Sequence, residues 1–200
     1  GTPMHRWLEE GKILEPDTDL AADMYQYARK SLAAAGYHHY EISNWSLPDR
    51  ACKHNLVYWE NGSYLGVGPG AHSRLGSYRF WTILSPREYN TKATKWSDED
   101  PKSVSELAET VLAIVPTLDG WEYISPEIAC SETMFLGLRL LDGLDITKVS
   151  PQPGMDLAKK FANPIQECID LGLIERNGDW IKLTSSSYLI ANQAFTRFLE

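Results

Sequence analysis

Near its start the chain has a helix-forming stretch that ends at a glycine and is followed directly by a short strand. This combination limits the folds that are open to the chain. Residues 20–35 are rich in helix formers and keep apolar side chains at helical spacing, and residues 17–19 offer an N-terminal cap. Gly36 then ends the helix, and residues 37–42 alternate as a half-buried strand does. One helix and one strand are typical of the end of an α/β unit, and they are far too few to close a barrel.

The rest of the first half predicts short elements. We expect strands at residues 56–59 and 63–67 around an Asn-Gly hairpin turn, a further strand at 78–83 and a short helix at 86–94. Residues 96–102 are mostly polar and charged and contain a proline, so they form the predicted boundary between a domain of residues 1–100 and a domain of residues 101–200.

The second half predicts helices followed by a hairpin, which is the winged-helix pattern. The expected helices are residues 104–115, 130–141, 155–171 and 187–199. The expected strands are residues 173–175 and 180–183, joined by an Asn-Gly turn. The predicted fold class is therefore α+β: the end of a barrel unit with a small sheet, then a winged-helix-like domain.

Composition excludes several functions. The net charge is −8, with most of the excess acid in residues 101–200, so we expect no nucleic-acid partner. No apolar run approaches the ~20 residues that span a bilayer, so we expect no transmembrane segment. Cys52, Cys130 and Cys168 lie far apart and form no Cys-x-x-Cys pair, which predicts no local zinc or iron–sulfur site and fits a reducing cytoplasm. The chain opens without Met, which we interpret as a fragment of a longer protein.

The densest group of chemically capable side chains lies in residues 54–59. It contains His54, Asn55, Tyr58 and Trp59. Imidazole is the usual proximal ligand of heme iron, and aromatic rings pack well on a macrocycle. The residues alone leave a plainer alternative open, a half-buried strand that carries a surface histidine, and this alternative is the commoner one.

Other candidates have structural alternatives of at least equal weight. The glycines of residues 66–70 could cradle a phosphate or form a packed turn. The adjacent His38 and His39 point to opposite faces of a strand and cannot readily chelate one ion. His72 could face a pocket, and Glu41 could bind a ligand or cap a sheet edge.

Several stretches, taken together and in order, resemble the radical-SAM family of oxygen-independent coproporphyrinogen III oxidases, closest to its heme-chaperone (HemW-type) branch. The stretches are residues 1–7, 40–45 (YEISNW), 52–59 (CKHNLVYW), 64–73 (YLGVGPGAHS), 132–139, 183–184 and 192–198. The chain departs from the family pattern at Trp45, at residues 119–123 and at the serines of residues 185–187.

The resemblance implies a division of labour within a longer protein. In that family an N-terminal partial barrel binds a [4Fe-4S] cluster and S-adenosylmethionine. The cluster motif is absent here, so we expect both cofactors only in the full-length protein and no catalytic residue in this fragment. Residues 101–200 would correspond to the family's winged-helix-like cap. The missing N-terminal half becomes an expected partner.

The resemblance also implies a heme site. His54 would bind the heme iron, and Asn55, Tyr58 and Trp59 would complete the motif. The expected function is to bind heme and transfer it to acceptor proteins in the cytoplasm. The alternative is oxidative decarboxylation of coproporphyrinogen III in porphyrin biosynthesis. A winged-helix DNA-binding regulator is a remote third reading, because residues 155–171 carry too much acid for a phosphate-binding face.

Overall fold

The structure is a computed structural model that describes residues 2–94, 115–149 and 154–199. The chain divides into two compact units, residues 1–51 and residues 52–200. Both units combine helices with sheets, and the strands paired within the described ranges are antiparallel. This mixed helix and sheet architecture confirms the predicted α+β class, while the partial barrel and the winged helix stay predictions.

The first unit consists of two helices and a two-stranded antiparallel sheet. Its elements are α1 (Pro3–Glu9), α2 (Thr18–Ala34), β1 (His38–Glu41) and β2 (Asn44–Ser46). Asp17 caps α2, because its Oδ1 accepts hydrogen bonds from the amides of Asp19 and Leu20 at 2.9 and 3.0 Å. Gly36 follows α2 with a φ of +81°, which glycine adopts without steric cost. The predicted helix, its two ends and the strand after it are confirmed.

We expect Asp17→Ala to lower the free energy of unfolding by about 1 kcal/mol, because two amides at the start of α2 lose their acceptor. Denaturation followed by circular dichroism measures the change. Asp23→Ala is the matched control, since Asp23 is an exposed residue of the same helix outside the cap, and we expect it to cause no loss. Equal losses in both variants would contradict the capping role.

The second unit begins with α3 (Lys53–Trp59), and here the sequence prediction was wrong. Residues 56–59 were predicted as a strand and the residues after them as a hairpin turn, but the stretch is helical. Asn61 adopts a φ of 56°. The amides of Asn61 and Gly62 donate to carbonyls in the last turn of α3 at 3.0 and 2.8 Å. The Asn-Gly pair therefore ends a helix in a Schellman motif.

A three-stranded antiparallel sheet lies in the same unit, and its middle strand is the second one along the chain. Its strands are β3 (His72–Leu75), β4 (Tyr78–Thr82) and β5 (Leu118–Tyr123). The strand predicted at residues 78–83 is confirmed, and the predicted short helix is α4 (Pro86–Ala93). The strand predicted at residues 63–67 was wrong, because only a single bridge between Tyr64 and Arg74 forms there.

The helix α5 (Pro126–Gly137) is the most buried helix of the described chain. Ser125 caps it by accepting a hydrogen bond from an amide of the first turn. Met134 and Leu138 are fully buried, so this segment forms the centre of the core. The predicted helix at residues 130–141 is confirmed, although it begins and ends four residues earlier.

The remaining elements form and flank a second three-stranded sheet, in which the last strand along the chain lies in the middle. They are β6 (Leu144–Asp145), α6 (Leu157–Lys160), α7 (Ala162–Asp170), β7 (Ile174–Asn177), β8 (Trp180–Leu183) and α8 (Asn192–Phe195), with 3₁₀ turns at Tyr188–Ile190 and Thr196–Phe198. The hairpin predicted around the second Asn-Gly pair is confirmed as β7 and β8.

Two long helices predicted in this region are broken in the structure. The helix expected at residues 155–171 is interrupted at Phe161, because the ring of Pro164 would clash with the carbonyl of Lys160 in a continuous helix. The helix expected at residues 187–199 is divided into α8 and the two 3₁₀ turns. The hydroxyl of Thr196 donates back to a carbonyl one turn earlier at 3.0 Å, a bond that bends helices.

Two further predictions concern residues that the structure does not describe. The helix expected at residues 104–115 lies almost wholly outside the described residues, and the boundary expected at residues 96–102 lies entirely outside them. The division into domains at residue 100 therefore stays a prediction. Among the helices of the described ranges, none is long and apolar enough to cross a membrane.

Candidate functional site

The candidate heme-binding residues lie on α3, which is anchored at its C-terminal end. Cys52 occupies the N-cap position without a side-chain cap. Asn61, just after the helix, donates from its side-chain amide to Thr133 Oγ1 at 3.0 Å and to the carbonyl of Ala129 at 3.3 Å. Because both acceptors belong to the buried helix α5, the helix that carries His54 is held against the core.

His54 and Tyr58 form a contact on one face of α3. They stand four residues apart, so their side chains lie about 40° apart around the helix axis. His54 Nε2 lies 3.1 Å from Tyr58 Oη, and the two rings meet edge to face with centroids 4.9 Å apart. His54 is exposed and Tyr58 is half-buried. The structure thus presents an accessible imidazole beside a phenol ring.

Tyr64 extends this aromatic face. Its ring meets that of Tyr58 at 4.4 Å between centroids and an interplanar angle of 64°. Burial raises the pKa of Tyr64, so its phenol stays protonated well above neutral pH. Tyr64 was not predicted as a site residue, although it opens the stretch at residues 64–73 that carries the family resemblance. We call His54, Tyr58 and Tyr64 the histidine face.

Trp59 and Asn55 lie on another side of the helix. Trp59 is about 140° from His54 around the axis, whereas Asn55 and Trp59 are one turn apart. The guanidinium carbon of Arg139 sits 4.2 Å from the centroid of the Trp59 ring, a cation–π distance. The structure therefore brings His54 and Tyr58 together but places Trp59 away from them, against Arg139.

Trp59 instead lines an apolar cleft of about 490 Å³. We call it the tryptophan cleft, and its main lining residues are Trp59, Thr133, Leu140, Leu144, Val149 and Trp180. Its rim carries charge from Asp142, Asp145 and Lys148. The sequence pattern placed Trp59 in the heme motif and did not indicate that it meets Trp180 at one cleft.

An ion-pair network adjoins the histidine face, because Arg74 of the network forms backbone hydrogen bonds with Tyr64. Glu132 on α5 accepts from Arg74 at 3.1 Å and also pairs with Arg79, which in turn pairs with Glu122 at 2.7 Å. Arg74 and Glu132 are only 6% and 8% exposed. Burial lowers the pKa of Arg74, and the charge of Glu132 opposes that shift.

The glycine turn of residues 66–70 is a packed structural turn. The amide of Gly66 donates to Ser73 Oγ at 3.0 Å, and the amide of Gly70 donates to the carbonyl of Ile83 at 2.9 Å. A Cβ at Gly66 would lie 2.2 Å from the carbonyl oxygen of His72. Because these amides already have acceptors inside the protein, they do not form a phosphate cradle.

His39 and the buried carboxylate of Glu41 in the first unit have local partners. His39 stacks on Trp45 at 4.2 Å and 8°, its Nε2 lies 3.0 Å from the carbonyl of Ile42, and burial lowers its pKa. Glu41 is fully buried and accepts from the amide of Ser43 at 3.0 Å, which favours the edge-capping interpretation. Within the described ranges no group of three His, Cys, Asp or Glu side chains could hold a metal ion.

Two residues compete with His54 as candidate iron ligands. His72 is exposed and stacks on Trp81 with centroids 5.8 Å apart and an interplanar angle of 28°. Cys52 is exposed and free, immediately before α3. Among the contacts of the described residues, His72 meets a ring without a hydroxyl, whereas His54 meets both the ring and the hydroxyl of Tyr58.

The chain is similar to one described protein family and to several named proteins. The family described as the HemN C-terminal domain matches residues 124–189. The heme chaperone HemW of Lactococcus lactis is 32% identical over 189 residues, which cover 94% of this chain and 45% of that protein. The HemW of Mycobacterium tuberculosis is 29% identical over 192 residues, which cover 96% and 43%.

A mammalian relative and a solved structure extend the comparison. The mouse mitochondrial protein named radical S-adenosyl methionine domain-containing protein 1 is 34% identical over 170 residues, which cover 71% of this chain and 38% of that protein. The structure of coproporphyrinogen III oxidase (HemN) from Escherichia coli superposes with a TM-score of 0.63 at 16% identity, covering 94% of this chain and 43% of the enzyme, and shows the shared fold.

The chain spans less than half the length of these relatives. The similarity nevertheless extends over almost the whole chain in the bacterial heme chaperones, and the solved structure shares its fold. The chain therefore belongs to the radical-SAM family of HemN-type coproporphyrinogen III oxidases and HemW-type heme chaperones.

Proposed function

We propose that this chain supplies the heme-binding region of a radical-SAM heme chaperone, which takes up heme as cargo and passes it to acceptor proteins. One observation carries the proposal: an exposed His54 projects from a core-anchored helix beside the rings of Tyr58 and Tyr64. Bacterial relatives that match nearly the whole chain are named heme chaperones, and this supports the same reading.

The chemistry of the histidine face suits a reversible heme site. A neutral imidazole donates its lone pair to heme iron, and the edges of aromatic rings pack against a porphyrin. An open face lets a bulky, planar cargo enter and leave without a large conformational change. We assign the iron ligand to His54 and the porphyrin contact to Tyr58, while Asn55 and Trp59 would shape the helix and its neighbouring cleft.

The proposal extends to the parent protein and its surroundings. The [4Fe-4S] cluster and S-adenosylmethionine would belong to the other half of the parent, and this chain would contribute no catalytic residue. Cys52, Cys130 and Cys168 are all free, which fits the cytoplasm as the proposed compartment. The winged-helix regulator remains a remote alternative, disfavoured by the net charge of −8.

The second candidate function is that of the oxidase whose fold the chain shares. The two functions differ in what they ask of the metal. A chaperone that holds heme through His54 needs iron in the porphyrin, whereas coproporphyrinogen III carries no metal. Affinity for an iron-free porphyrin is therefore the discriminating quantity.

We expect the chain to bind hemin at least about tenfold more tightly than protoporphyrin IX, because iron coordination adds to the contacts that both ligands make. Titrations followed by the Soret band of hemin and the fluorescence of protoporphyrin IX measure both affinities. Transfer of bound heme to excess apomyoglobin tests release. Equal affinities for the two porphyrins would contradict the chaperone assignment and favour a porphyrin substrate site.

A further inference from the structure

The hydrogen bond between His54 and Tyr58 occupies the nitrogen best placed to bind iron. Nε2 is the ring nitrogen farther from the backbone, and it lies 3.1 Å from Tyr58 Oη. This is the one hydrogen bond of the imidazole within the described part of the chain. Iron coordination needs the lone pair of a neutral imidazole nitrogen. The single lone pair of Nε2 cannot accept a hydrogen bond from a hydroxyl and bind iron at the same time.

Tyr58 is held in place for this contact. The helical repeat puts it one turn beyond His54, and its ring packs edge to face on Tyr64 at 4.4 Å. Tyr64 is fixed in turn, because its amide and carbonyl both bond to the backbone of Arg74 at 2.8 Å. Arg74 pairs with the buried Glu132. These contacts fix the ring of Tyr58 beside His54.

We propose that Tyr58 is a gate on the iron-binding nitrogen of His54. In the heme-free protein its hydroxyl donates to Nε2, so the proton of the neutral imidazole resides on Nδ1. When heme binds, the Oη–H···Nε2 hydrogen bond breaks and the Nε2–Fe bond forms. The exposed His54 side chain turns away from the fixed Tyr58 ring to reach the iron. Tyr58 keeps its proton and its hydroxyl bonds to water instead, and Nδ1 keeps its own proton. This inference rests on the proposed heme function and adds the regulation of the same site.

The gate has a kinetic signature. Opening it must precede coordination, so the gate slows heme association and lowers affinity by about the worth of one net hydrogen bond. That worth corresponds to a change in affinity of about threefold to tenfold. Dissociation breaks the Nε2–Fe bond. Its rate is little affected by the Tyr58 hydroxyl, because that hydroxyl no longer contacts Nε2 in the bound state. A residue with a merely structural role would not change association alone.

The test uses the 200-residue chain and monomeric carbonmonoxy-heme mixed by stopped flow. Tyr58→Phe keeps the ring and removes the hydroxyl, so we expect association about threefold to tenfold faster and dissociation nearly unchanged. Tyr123→Phe is the matched control and should bind at the wild-type rate, because it removes a phenol hydroxyl from an exposed tyrosine at the end of β5, outside the histidine face. Nitrogen-15 NMR of the heme-free chain should report an unprotonated Nε2 at His54 in wild type.

The variants separate failure of the gate from failure of the heme site. Slower or unchanged association in Tyr58→Phe, with heme binding still lost in His54→Ala, overturns the gate and leaves the proposed function standing. A faster rate that persists when Tyr58→Phe is combined with His54→Ala also overturns the gate, since the effect then bypasses the imidazole. Undiminished binding in His54→Ala alone rejects His54 as the heme ligand itself.

Discussion

Glu132→Ala is expected to lower the free energy of unfolding by about 3–5 kcal/mol, because it leaves a buried guanidinium without its counter-charge. Glu132 pairs with Arg74 and Arg79, and Arg74 is 6% exposed. Removing one partner of a buried pair is much more costly than the net contribution of the pair, since the remaining charge cannot return to water. Urea denaturation followed by circular dichroism measures the loss.

Glu122→Ala is the matched control for this prediction. Glu122 pairs with the same Arg79, at 2.7 Å, but on the exposed surface of β5. An exposed ion pair contributes about 0–1 kcal/mol, so the control should fall in that range. Similar losses in the two variants would mean that burial does not set the energetics of the network. Both variants remove a carboxylate from Arg79, but only Glu132→Ala also leaves the buried Arg74 without its partner.

The sequence predicted the elements that are specified by short-range signals. Asp17 and Gly36 mark the two ends of α2, and both act in the structure as their chemistry requires. The second Asn-Gly pair forms the predicted hairpin between β7 and β8. Caps and turns of this kind depend on bonds between residues that are close in the chain, so the sequence carries nearly all of their determinants.

The helix α3 was predicted as a strand because its determinants are distant. Val57, Tyr58 and Trp59 have side chains that favour strands. The Schellman bonds at its end and the contacts of Asn61 with α5, about 70 residues later in the chain, hold the segment helical. The first Asn-Gly pair shows the same limit, since one dipeptide can close a hairpin or end a helix.

The candidate site was predictable in its residues and not in its geometry. The stretch at residues 52–59 identified His54 and Tyr58 as neighbours of interest, and their four-residue spacing brings them together once the segment is helical. The same helix carries Trp59 to another side, toward Arg139. The placement of Tyr64 depends on its bridge to Arg74, which no local pattern indicates.

His54→Ala is expected to weaken hemin binding at least about a hundredfold. Loss of a group that only supports a metal ligand typically costs 10–100-fold in metal affinity, so loss of the ligand itself should cost at least the upper value. Titration of the chain with hemin, followed at the Soret band, measures the dissociation constant. The side chain is exposed, so we expect the fold to be unchanged, and circular dichroism verifies this.

His72→Ala and Cys52→Ser are the matched controls for ligand choice. Both residues are exposed, both belong to the same compact unit as His54, and each could bind iron by its chemistry. We expect both variants to keep the wild-type affinity and Soret position. Loss of binding in either one, with His54→Ala unaffected, would assign the ligand to that residue instead.

Resonance Raman spectroscopy of the ferrous heme complex observes the bond between iron and histidine itself, so it tests directly whether His54 binds the heme iron. The chain is loaded with heme, reduced, and compared with a sample labelled with nitrogen-15 in its histidines. We expect an iron–histidine stretching band that shifts on labelling, is present in wild type and His72→Ala, and is absent in His54→Ala. A band that persists in His54→Ala with its isotope shift would contradict the assignment of His54 as the heme ligand.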